Sequence, residues 1–291
     1  MLRLVLPKGS LERATLDLFD AADLPVQRSS SVQYLAQIND PRITDVRILR
    51  PQEIPTYVAE GMFDLGITPR DWIEETGSDV VSLGELSYSK ASNNPTRIVV
   101  AVAADSPYKR AADLPDGTRI STEYLGLTRR YFESLGVRVD VRLSYGATEA
   151  KIPDIADAIV ELTETGSALR AAGLRIIETI LTSYTELIAN RAAYEHPDKR
   201  HAMEQIHTLL AGTLEARGQV LLKLNVASED LDAVIALVPA EKSPTVSQLF
   251  GGAGYAVETV VAKAQINTLI PALKDAGATG ILEIPIAKIV H

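Results

Sequence analysis

The sequence predicts an α/β protein with two α/β lobes and a separate C-terminal domain. Short apolar runs alternate with helical patterns from residue 2 to about residue 190, which is typical of βαβ units with a largely parallel sheet. A polar stretch rich in turn formers, at 87–95, interrupts this alternation, and a second set of strands follows it. After Gly212 the predicted order becomes β-α-β-β-α-β, the ferredoxin-like unit.

The first lobe begins with an apolar strand and a turn in which Ser10 can cap the next helix. Its predicted elements are strands over 2–6, 46–49 and 64–68, helices over 11–22 and 54–60, and a helix that carries Trp72. The stretch 184–190 suggests that the chain returns to this lobe, and Pro197 opens a long helix. The first lobe is therefore expected to be discontinuous, over 1–89 and 182–211.

The second lobe is expected over 90–181. Its predicted elements are strands over 97–103, 118–121, 137–143, 158–160 and 174–181, with a helix over 127–135 that Gly136 ends. The C-terminal domain is expected over 212–291. Its predicted elements are strands over 219–226, 255–262 and 281–286, a capped helix start at 228–232 before an apolar run at 234–238, a turn at 243–245 and a helix over 265–276.

Composition excludes several classes of function. The net charge of −9 argues against a nucleic-acid partner, which would favour a basic face. The chain has no cysteine, so disulfides, thiolate catalysis and cysteine metal sites are excluded. No apolar run approaches the roughly 20 residues of a membrane span, and the apolar N-terminal run is too short for a signal peptide. These features favour a cytoplasmic protein without a membrane partner.

All four histidines lie in the last third of the chain. The first 195 residues therefore cannot carry a Ser-His-Asp triad or a histidine metal site. His201 and His207 share one predicted helix, and the simplest interpretation is that both lie on its exposed face.

The most informative segment begins at Glu161. An apolar strand, Ala158–Val160, is followed by the acid, by hydroxyls around Gly166 and by the start of a short helix. A helix N-terminus offers unpaired N–H groups to an anion, and a glycine lets the backbone approach it closely. The pattern predicts a phosphate-binding loop with Glu161 near a ribose hydroxyl or a magnesium ion. A polar strand-to-helix turn with a capping threonine is the alternative.

Seven segments in order resemble the long form of the ATP phosphoribosyltransferase family, and the resemblance spans essentially the whole chain. The matching segments are 7–11, 49–55, 64–71, 120–124, 157–169, 243–245 and 277–282. The sequence departs from the family's usual residues at five positions, which are Ser10, Pro69, Asp154, Glu161 and Ala168. Glu161 keeps the charge of the usual aspartate, and Lys8 can supply the charge that Ser10 lacks.

The resemblance implies a periplasmic-binding-protein-like catalytic region, an ACT-like regulatory domain and a glycosyltransferase reaction. The phosphoribosyl group of phosphoribosyl pyrophosphate (PRPP) would pass to N1 of ATP, giving N1-phosphoribosyl-ATP and pyrophosphate in the first step of histidine biosynthesis. Such chemistry needs no protein nucleophile, because positioning and charge stabilisation suffice. The implied partners are ATP, PRPP, Mg²⁺, histidine as feedback inhibitor and further copies of the chain, from dimer to hexamer.

The resemblance also implies site residues. Those expected at PRPP are Glu161, Glu164, Thr165, Gly166, Ser167, Ala168 and Leu169. Those expected at the nucleotide or pyrophosphate are Lys8, Gly9, Arg50, Thr68, Thr122, Glu123, Tyr124 and Glu149. Those expected at regulatory histidine, between neighbouring domains, are Ser243, Pro244, Thr245, Ala278 and Thr279. Glu161 is the one candidate for a metal contact, with Mg²⁺ held mainly through substrate.

Three alternatives remain at this stage. A two-lobed solute-binding protein would share the lobes, although it would normally carry an export signal and would not need the third domain. A type I phosphoribosyltransferase would share the Thr165–Gly166 loop, although it would normally show two adjacent acids before it. An amino-acid sensor without catalysis would explain the last 80 residues but not the phosphate loop.

Overall fold

The structure is a computed structural model that describes residues 1–30, 33–88, 96–239 and 243–291. The chain forms two compact units, Met1–His207 and Thr208–His291. Most of the predicted polar connection at 87–95 lies outside the described residues. Within the described residues no helix has the length and apolar character needed to cross a bilayer.

The first unit contains two sheets with helices packed against them. Its strands are β1 (Leu2–Pro7), β2 (Val26–Gln27), β3 (Leu35–Ile38), β4 (Ile43–Leu49), β5 (Leu65–Pro69), β6 (Val80–Glu85), β7 (Thr96–Ala103), β8 (Thr118–Thr122), β9 (Val139–Leu143), β10 (Ala158–Thr163), β11 (Leu174–Ser183) and β12 (Thr185–Asn190). Its helices are α1 (Glu12–Ala21), α2 (Ile54–Ala59), α3 (Arg70–Thr76), α4 (Leu125–Leu135), α5 (Ser167–Ala171) and α6 (Arg191–Glu195), and α7 (Pro197–Glu215) runs on into the second unit.

The described strands pair in the orders β2-β3-β4-β1-β5-β12-β6 and β11-β7-β10-β8-β9. Strand β12 thus lies beside β5, in the sheet that contains β1, and the strands between Thr96 and Ser183 form the other sheet. On the basis of these two sheets we propose that the first lobe comprises 1–89 and 182–211 and that the second lobe comprises 90–181.

The expectation of largely parallel sheets is wrong. Parallel pairing is confined to β1 with β4 and β5, and to β8 with β9 and β10, among the described strands. Strands β7, β11 and β12 all pair antiparallel with their neighbours. Parallel neighbours need a long crossover connection, usually a helix. Only Tyr184 separates β11 from β12, so the chain passes directly from one sheet to the other.

The core of each sheet is apolar. Ile98, Val100 and Val102 of β7 alternate with Val99 and Ala101, and all five side chains are buried, because helices and loops cover both faces of this strand. In the other sheet, Val5 of β1 packs with Ile54 and Val58 of α2. Near-continuous apolar strands are expected where both faces of a sheet are covered.

The second unit has the ferredoxin-like order that the sequence predicted. After α7 it contains β13 (Gln219–Val226), α8 (Leu231–Leu237), β14 (Thr245–Gln248), β15 (Tyr255–Ala262), α9 (Ile266–Asp275) and β16 (Thr279–Pro285). The sheet order is β14-β15-β13-β16, and every pair is antiparallel. Alternate residues of β13 point into a core formed with both helices.

The exposed placement predicted for both His201 and His207 is correct only for the first. His201 is exposed, whereas His207 is half-buried. A Cβ on Gly84 of β6 would lie 2.9 Å from the Nε2 atom of His207, so this glycine makes room for the ring.

Candidate functional site

The first unit holds a cavity of ≈ 220 Å³ at the place where its two sheets meet. Gln52 and Trp72 line it from segments that follow strands of the first sheet. Glu123 and Leu162 line it from the second sheet, and the crossing at Ser183–Thr185 closes it. Crevices at strand ends of open α/β sheets are where ligands bind.

Asp71, at the start of α3, is the buried centre of this cavity wall. Its carboxylate accepts a hydrogen bond from Tyr124 Oη at 2.7 Å and another from Ser183 Oγ at 2.9 Å. Its backbone N–H donates to the same Ser183 Oγ at 3.1 Å. Burial raises the pKa of Asp71 above its ordinary value, although the hydrogen bonds from Tyr124 and Ser183 oppose that shift. The two sheets and the crossing strand therefore meet at one carboxylate.

The sequence predicted that Tyr124 contacts the nucleotide, but the residue is only 2% exposed. Its ring lies against Trp72 with the two centroids 4.9 Å apart, and its hydroxyl is occupied by Asp71. Burial and the negative charge of Asp71 raise the pKa of Tyr124. The phenol is thus neutral and holds the two sheets together.

Glu123 and Glu161 lie near each other at the carboxyl ends of β8 and β10, which are parallel neighbours. Burial and the negative charge of Glu161 raise the pKa of Glu123. Strand β10 continues to Thr163, so Glu161 pairs with Val99 inside the sheet rather than following the strand as expected. The strand predicted over 158–160 ended too early because the polar residues Glu161 and Thr163 interrupt the apolar run.

The predicted phosphate loop is a tight turn between β10 and α5. Gly166 has φ = 72°, a left-handed conformation that favours glycine, and its N–H donates to Thr163 Oγ1 at 2.9 Å. Ser167 N donates to Thr165 Oγ1 at 3.3 Å. No described residue accepts from the N–H groups of Ala168 or Leu169. These two amides at the start of α5 remain available to an anion.

Thr68 and Thr122 were predicted to contact the nucleotide or pyrophosphate, but their hydroxyls form hydrogen bonds with the backbone of the protein. Thr68 Oγ1 donates to Pro51 O at 3.0 Å and Thr122 Oγ1 accepts from Tyr124 N at 2.9 Å. Both residues are fully buried. Their observed contacts hold the chain on either side of the cavity.

The predicted basic residues lie on the side of the first sheet. Lys8 Nζ lies 4.1 Å from the centroid of the Tyr34 ring, and Gly9 follows it with φ = 90°. Arg50 is exposed, and no described carboxylate forms an ion pair with it. Lys8 and Arg50 follow β1 and β4, which are parallel neighbours, so their backbones lie at one edge of the sheet.

Glu149 lies in the 3₁₀ turn Thr148–Lys151 beyond β9. Ser144 fixes this turn, because its Oγ lies 2.8 Å from Thr148 Oγ1 and its N–H donates to Thr122 O at 2.8 Å. Glu149 and Glu123 therefore belong to the same edge of the second sheet. Glu164 lies in the loop after β10, where its backbone oxygen accepts from Arg97 at 3.4 Å.

Asp71, Gln52 and Ser183 were missed as site residues by the sequence analysis. Asp71 and Ser183 are 112 positions apart. Asp71 ends the segment 64–71 that resembles the family, and Ser183 follows the strand predicted over 174–181. The buried Oε1 of Gln52 has no hydrogen-bond partner among the described residues. Gln52 and Asp71 lie in the segments 49–55 and 64–71 that resemble the family, and this was the one signal that could have found them. Their meeting with Ser183 could not be predicted, because the crossing of the chain between sheets brings them together.

A second cavity, of ≈ 280 Å³, lies in the second unit. Ser243 and Thr245 line it together with Glu258 and His291. Ala278 is buried in the core and Thr279 opens β16, at the edge of the sheet opposite to β14. Within one chain, the residues predicted for regulatory histidine, Pro244 included, therefore form two separate groups.

No group of three or more histidine, aspartate or glutamate side chains in the described residues is placed to hold a metal ion. The close pair Glu123 and Glu161 nevertheless fits a hard cation that arrives with a phosphorylated substrate, because burial and the negative charge of Glu161 raise the pKa of Glu123 and a cation would offset that charge. That a metal is held mainly through substrate stays a prediction.

Comparison with known families decides the class of the protein. The family model described as ATP phosphoribosyltransferase (HisG) matches residues 50–212, and that of the HisG C-terminal domain matches residues 216–288. The chain belongs to the ATP phosphoribosyltransferase family. It is thus a phosphoribosyl-transferring enzyme of the first step of histidine biosynthesis, and a solute-binding protein or non-catalytic sensor is not favoured.

Individual relatives agree with this family. An ATP phosphoribosyltransferase of Nitratidesulfovibrio vulgaris Hildenborough is 49% identical over 290 residues, which cover 99% of this chain and 98% of the relative. One of Desulforudis audaxviator is 48% identical, with 99% of both chains covered. A solved ATP phosphoribosyl transferase (HisG:HisZ) complex from Thermotoga maritima is 26% identical, with a TM-score of 0.62, covering 74% of this chain and 99% of that one.

Proposed function

We propose that the cavity beside Asp71 takes the adenine of ATP and that the loop 163–169 takes the 5-phosphate of PRPP. The observation that carries the second assignment is the turn at Gly166, where two backbone N–H groups at the start of α5 have no described acceptor. Backbone N–H groups at a helix start suit a phosphate. The hydroxyls of Thr165 and Ser167, 3.0 Å apart, supplement them.

The cavity suits a flat base. Trp72, packed against the Tyr124 ring, provides aromatic surface, and Gln52, Glu123 and Thr96 provide polar groups around it. Ligand sites are typically apolar with a few polar groups that fix orientation. In this proposal N1 of adenine faces the anomeric carbon of PRPP, whose phosphate end is held over Gly166. Thr68, Thr122 and Tyr124 contribute by holding the surrounding backbone.

Charges are arranged for a reaction between two polyanions. Lys8 and Arg50 hold the triphosphate or pyrophosphate groups, with Gly9 allowing close backbone approach, and Glu149 lies opposite on the second sheet. Glu161 faces the ribose or its magnesium ion, with Glu123 beside it and Glu164 at the rim. Mg²⁺, bound through substrate, supplies neutralisation of the leaving pyrophosphate. The protein's own residues orient the two substrates and exclude water between them.

The proposal also includes regulation and assembly. The C-terminal unit binds free histidine, and the separation of Ser243–Thr245 from Ala278–Thr279 on opposite sheet edges supports a site completed by neighbouring copies. The enzyme is then a homo-oligomer, between a dimer and a hexamer. A biosynthetic role of this kind, with no spanning helix among the described residues, supports a cytoplasmic location.

Trp72 is the only tryptophan of the chain and lines the cavity, so its fluorescence tests the proposal directly. We expect ATP to change the emission of Trp72 in a saturable manner, and PRPP with Mg²⁺ to bind without needing ATP. The variant Gln52→Leu should weaken ATP binding and leave PRPP binding unchanged. An unchanged Trp72 signal at saturating ATP, with ATP binding proven by calorimetry, would place the base elsewhere.

A further inference from the structure

Asp71 is a buried carboxylic acid that, when ionised, has no cation beside it among the described residues. Asp71 is 2% exposed, and its side-chain donors are the hydroxyls of Tyr124 and Ser183, while the backbone N–H groups of Asp71 and Trp72 also favour its charged form. No described lysine, arginine or histidine nitrogen lies within ion-pair distance of it, since the neighbouring Arg70 pairs with Glu74 and Glu186. Buried carboxylates are normally paired with a cation.

The titratable groups that face Asp71 do not supply a positive charge. Tyr124 is neutral, and Glu123 and Glu161 are acids. Both glutamates raise the pKa of Tyr124, so the second-sheet side of the cavity is negative. A carboxylate without a paired cation stabilises a positive charge that develops on a ligand beside it.

The proposed reaction creates such a charge. The lone pair of adenine N1 forms a bond to the anomeric carbon of PRPP, and the bond from that carbon to pyrophosphate breaks with its electron pair on the leaving oxygen. The adenine ring thereby gains one positive charge, shared between N1 and the 6-amino group. The adenine ring is neutral in bound ATP and cationic in the product, and part of this charge has developed in the transition state. A fixed anion beside the ring therefore stabilises the transition state more than it stabilises bound ATP.

We propose that Asp71 is a further residue of the transfer reaction, stabilising the positive charge that the adenine ring acquires. The inference rests on the proposed function, because it requires adenine in the cavity that Asp71 lines. Tyr124 and Ser183 act as positioning residues in it, since their hydroxyls hold the carboxylate at the cavity wall.

A structural role is the alternative, and the chain offers a matched control for it. Glu75 belongs to the same helix as Asp71 and connects α3 to the start of α4. Its two carboxylate oxygens accept from the N–H groups of Gly126 and Leu127, each at 2.9 Å. Glu75 does not belong to the cavity lining. Asp71→Asn and Glu75→Gln therefore remove one charge each from the same joint, but only Asp71→Asn removes one from the cavity.

The test uses 1-methyl-ATP, whose adenine ring is cationic at neutral pH, with ATP as the neutral reference. Affinities for the full-length protein are measured by Trp72 fluorescence, together with kcat and KM for the transfer. We expect the wild type to bind 1-methyl-ATP about tenfold more tightly than ATP. We expect Asp71→Asn to bind ATP within about threefold of wild type, to lose the preference and to lose about 100-fold in kcat.

Glu75→Gln should retain both the preference and kcat even if its thermal midpoint falls. The inference is overturned if Asp71→Asn keeps the preference, or if the wild type shows none while binding ATP. A wild type that binds neither nucleotide, or whose Trp72 does not respond while ATP binds, contradicts the proposed function instead. The two failures are therefore distinguishable.

Discussion

Lys199 Nζ, at the start of α7, donates to Asp64 Oδ1 at 2.8 Å across 135 positions of sequence. Asp64 immediately precedes β5 and its side chain is 3% exposed. Its other oxygen accepts from the backbone N–H of Arg3 at 2.8 Å and from Arg3 Nε at 3.3 Å. Burial raises the pKa of Asp64, but the hydrogen bonds from Arg3 and Lys199 outweigh it, so the pKa lies below its ordinary value. One carboxylate thus ties α7 to β1.

Asp64→Asn should therefore destabilise the first unit. The variant leaves Arg3 and Lys199 without their charged acceptor, and because both are partly exposed we expect a loss of about 1–3 kcal/mol. A lowered pKa stabilises the fold above the unfolded value of about 3.9 and loses that effect as pH falls through the folded value. Urea unfolding followed by Trp72 fluorescence should show a constant difference from wild type above pH 5 that shrinks below pH 4. Asp79→Asn, in the exposed pair with Arg191, is the control and should unfold like wild type.

His207 should make stability depend on pH in the range where histidine titrates. Burial lowers the pKa of His207, so the unfolded chain binds a proton more readily than the folded one. The free energy of unfolding is then expected to decrease as pH falls below about 6.5. His207→Gln should remove this part of the decrease, whereas His201→Gln, at an exposed position, should leave it unchanged. Equal pH dependence in wild type and His207→Gln would contradict the half-buried placement beside Gly84.

Gly166 and Gly173 allow the phosphate loop to be tested with matched backbone strain. Their φ values are 72° and 75°, so an alanine costs about 1 kcal/mol or more at either. Around Gly166 a Cβ would meet Ile176 at 3.0 Å, whereas nothing lies within 4 Å at Gly173. We expect Gly166→Ala to weaken PRPP binding about tenfold or more, and Gly173→Ala to leave it near wild type. Calorimetric titration of PRPP with Mg²⁺ decides this, and equal affinities would show that the loop is not the phosphate site.

Thr245 should be needed for inhibition by histidine. Its hydroxyl can hold an α-amino acid, so Thr245→Val is expected to raise the half-inhibitory concentration of histidine about tenfold while kcat without histidine is unchanged. Thr268→Val, on the exposed side of α9, is the control. Binding must be reciprocal, so substrate should weaken histidine affinity by the same factor that histidine weakens substrate affinity. A full-length enzyme that millimolar histidine does not inhibit would reject regulation altogether.

The sequence predicted most strands and helices because apolar spacing determines them. Strands β2, β3, β6 and β14 were missed, because each is short or interrupted by Gly84 and none gives an apolar run. The direction of β7, β11 and β12 was also missed, because pairing is set by the crossing of the chain between sheets. Periodicity reports which face of an element is buried, but not which neighbour it meets.

In the candidate site, too, the local features could be predicted from the sequence and the long-range contacts could not. The Gly166 turn is local, and its residues could be chosen from their order alone. Asp71, Ser183 and Tyr124 meet only through tertiary structure, so the sequence assigned Tyr124 to the nucleotide without revealing the carboxylate that occupies its hydroxyl. The ion pair of Asp64 with Lys199 was not predicted either, because it too depends on tertiary structure.

The most direct test of the account is the reaction itself. The full-length protein is incubated with Mg²⁺, ATP and PRPP labelled in the ribose, and the products are separated by chromatography. The account predicts that label passes to a nucleotide bearing the ribose on N1, with one pyrophosphate released per transfer, and that Gly166→Ala slows this while Gly173→Ala does not. Label that stays in PRPP, or that passes to a nucleotide position other than N1, would contradict it.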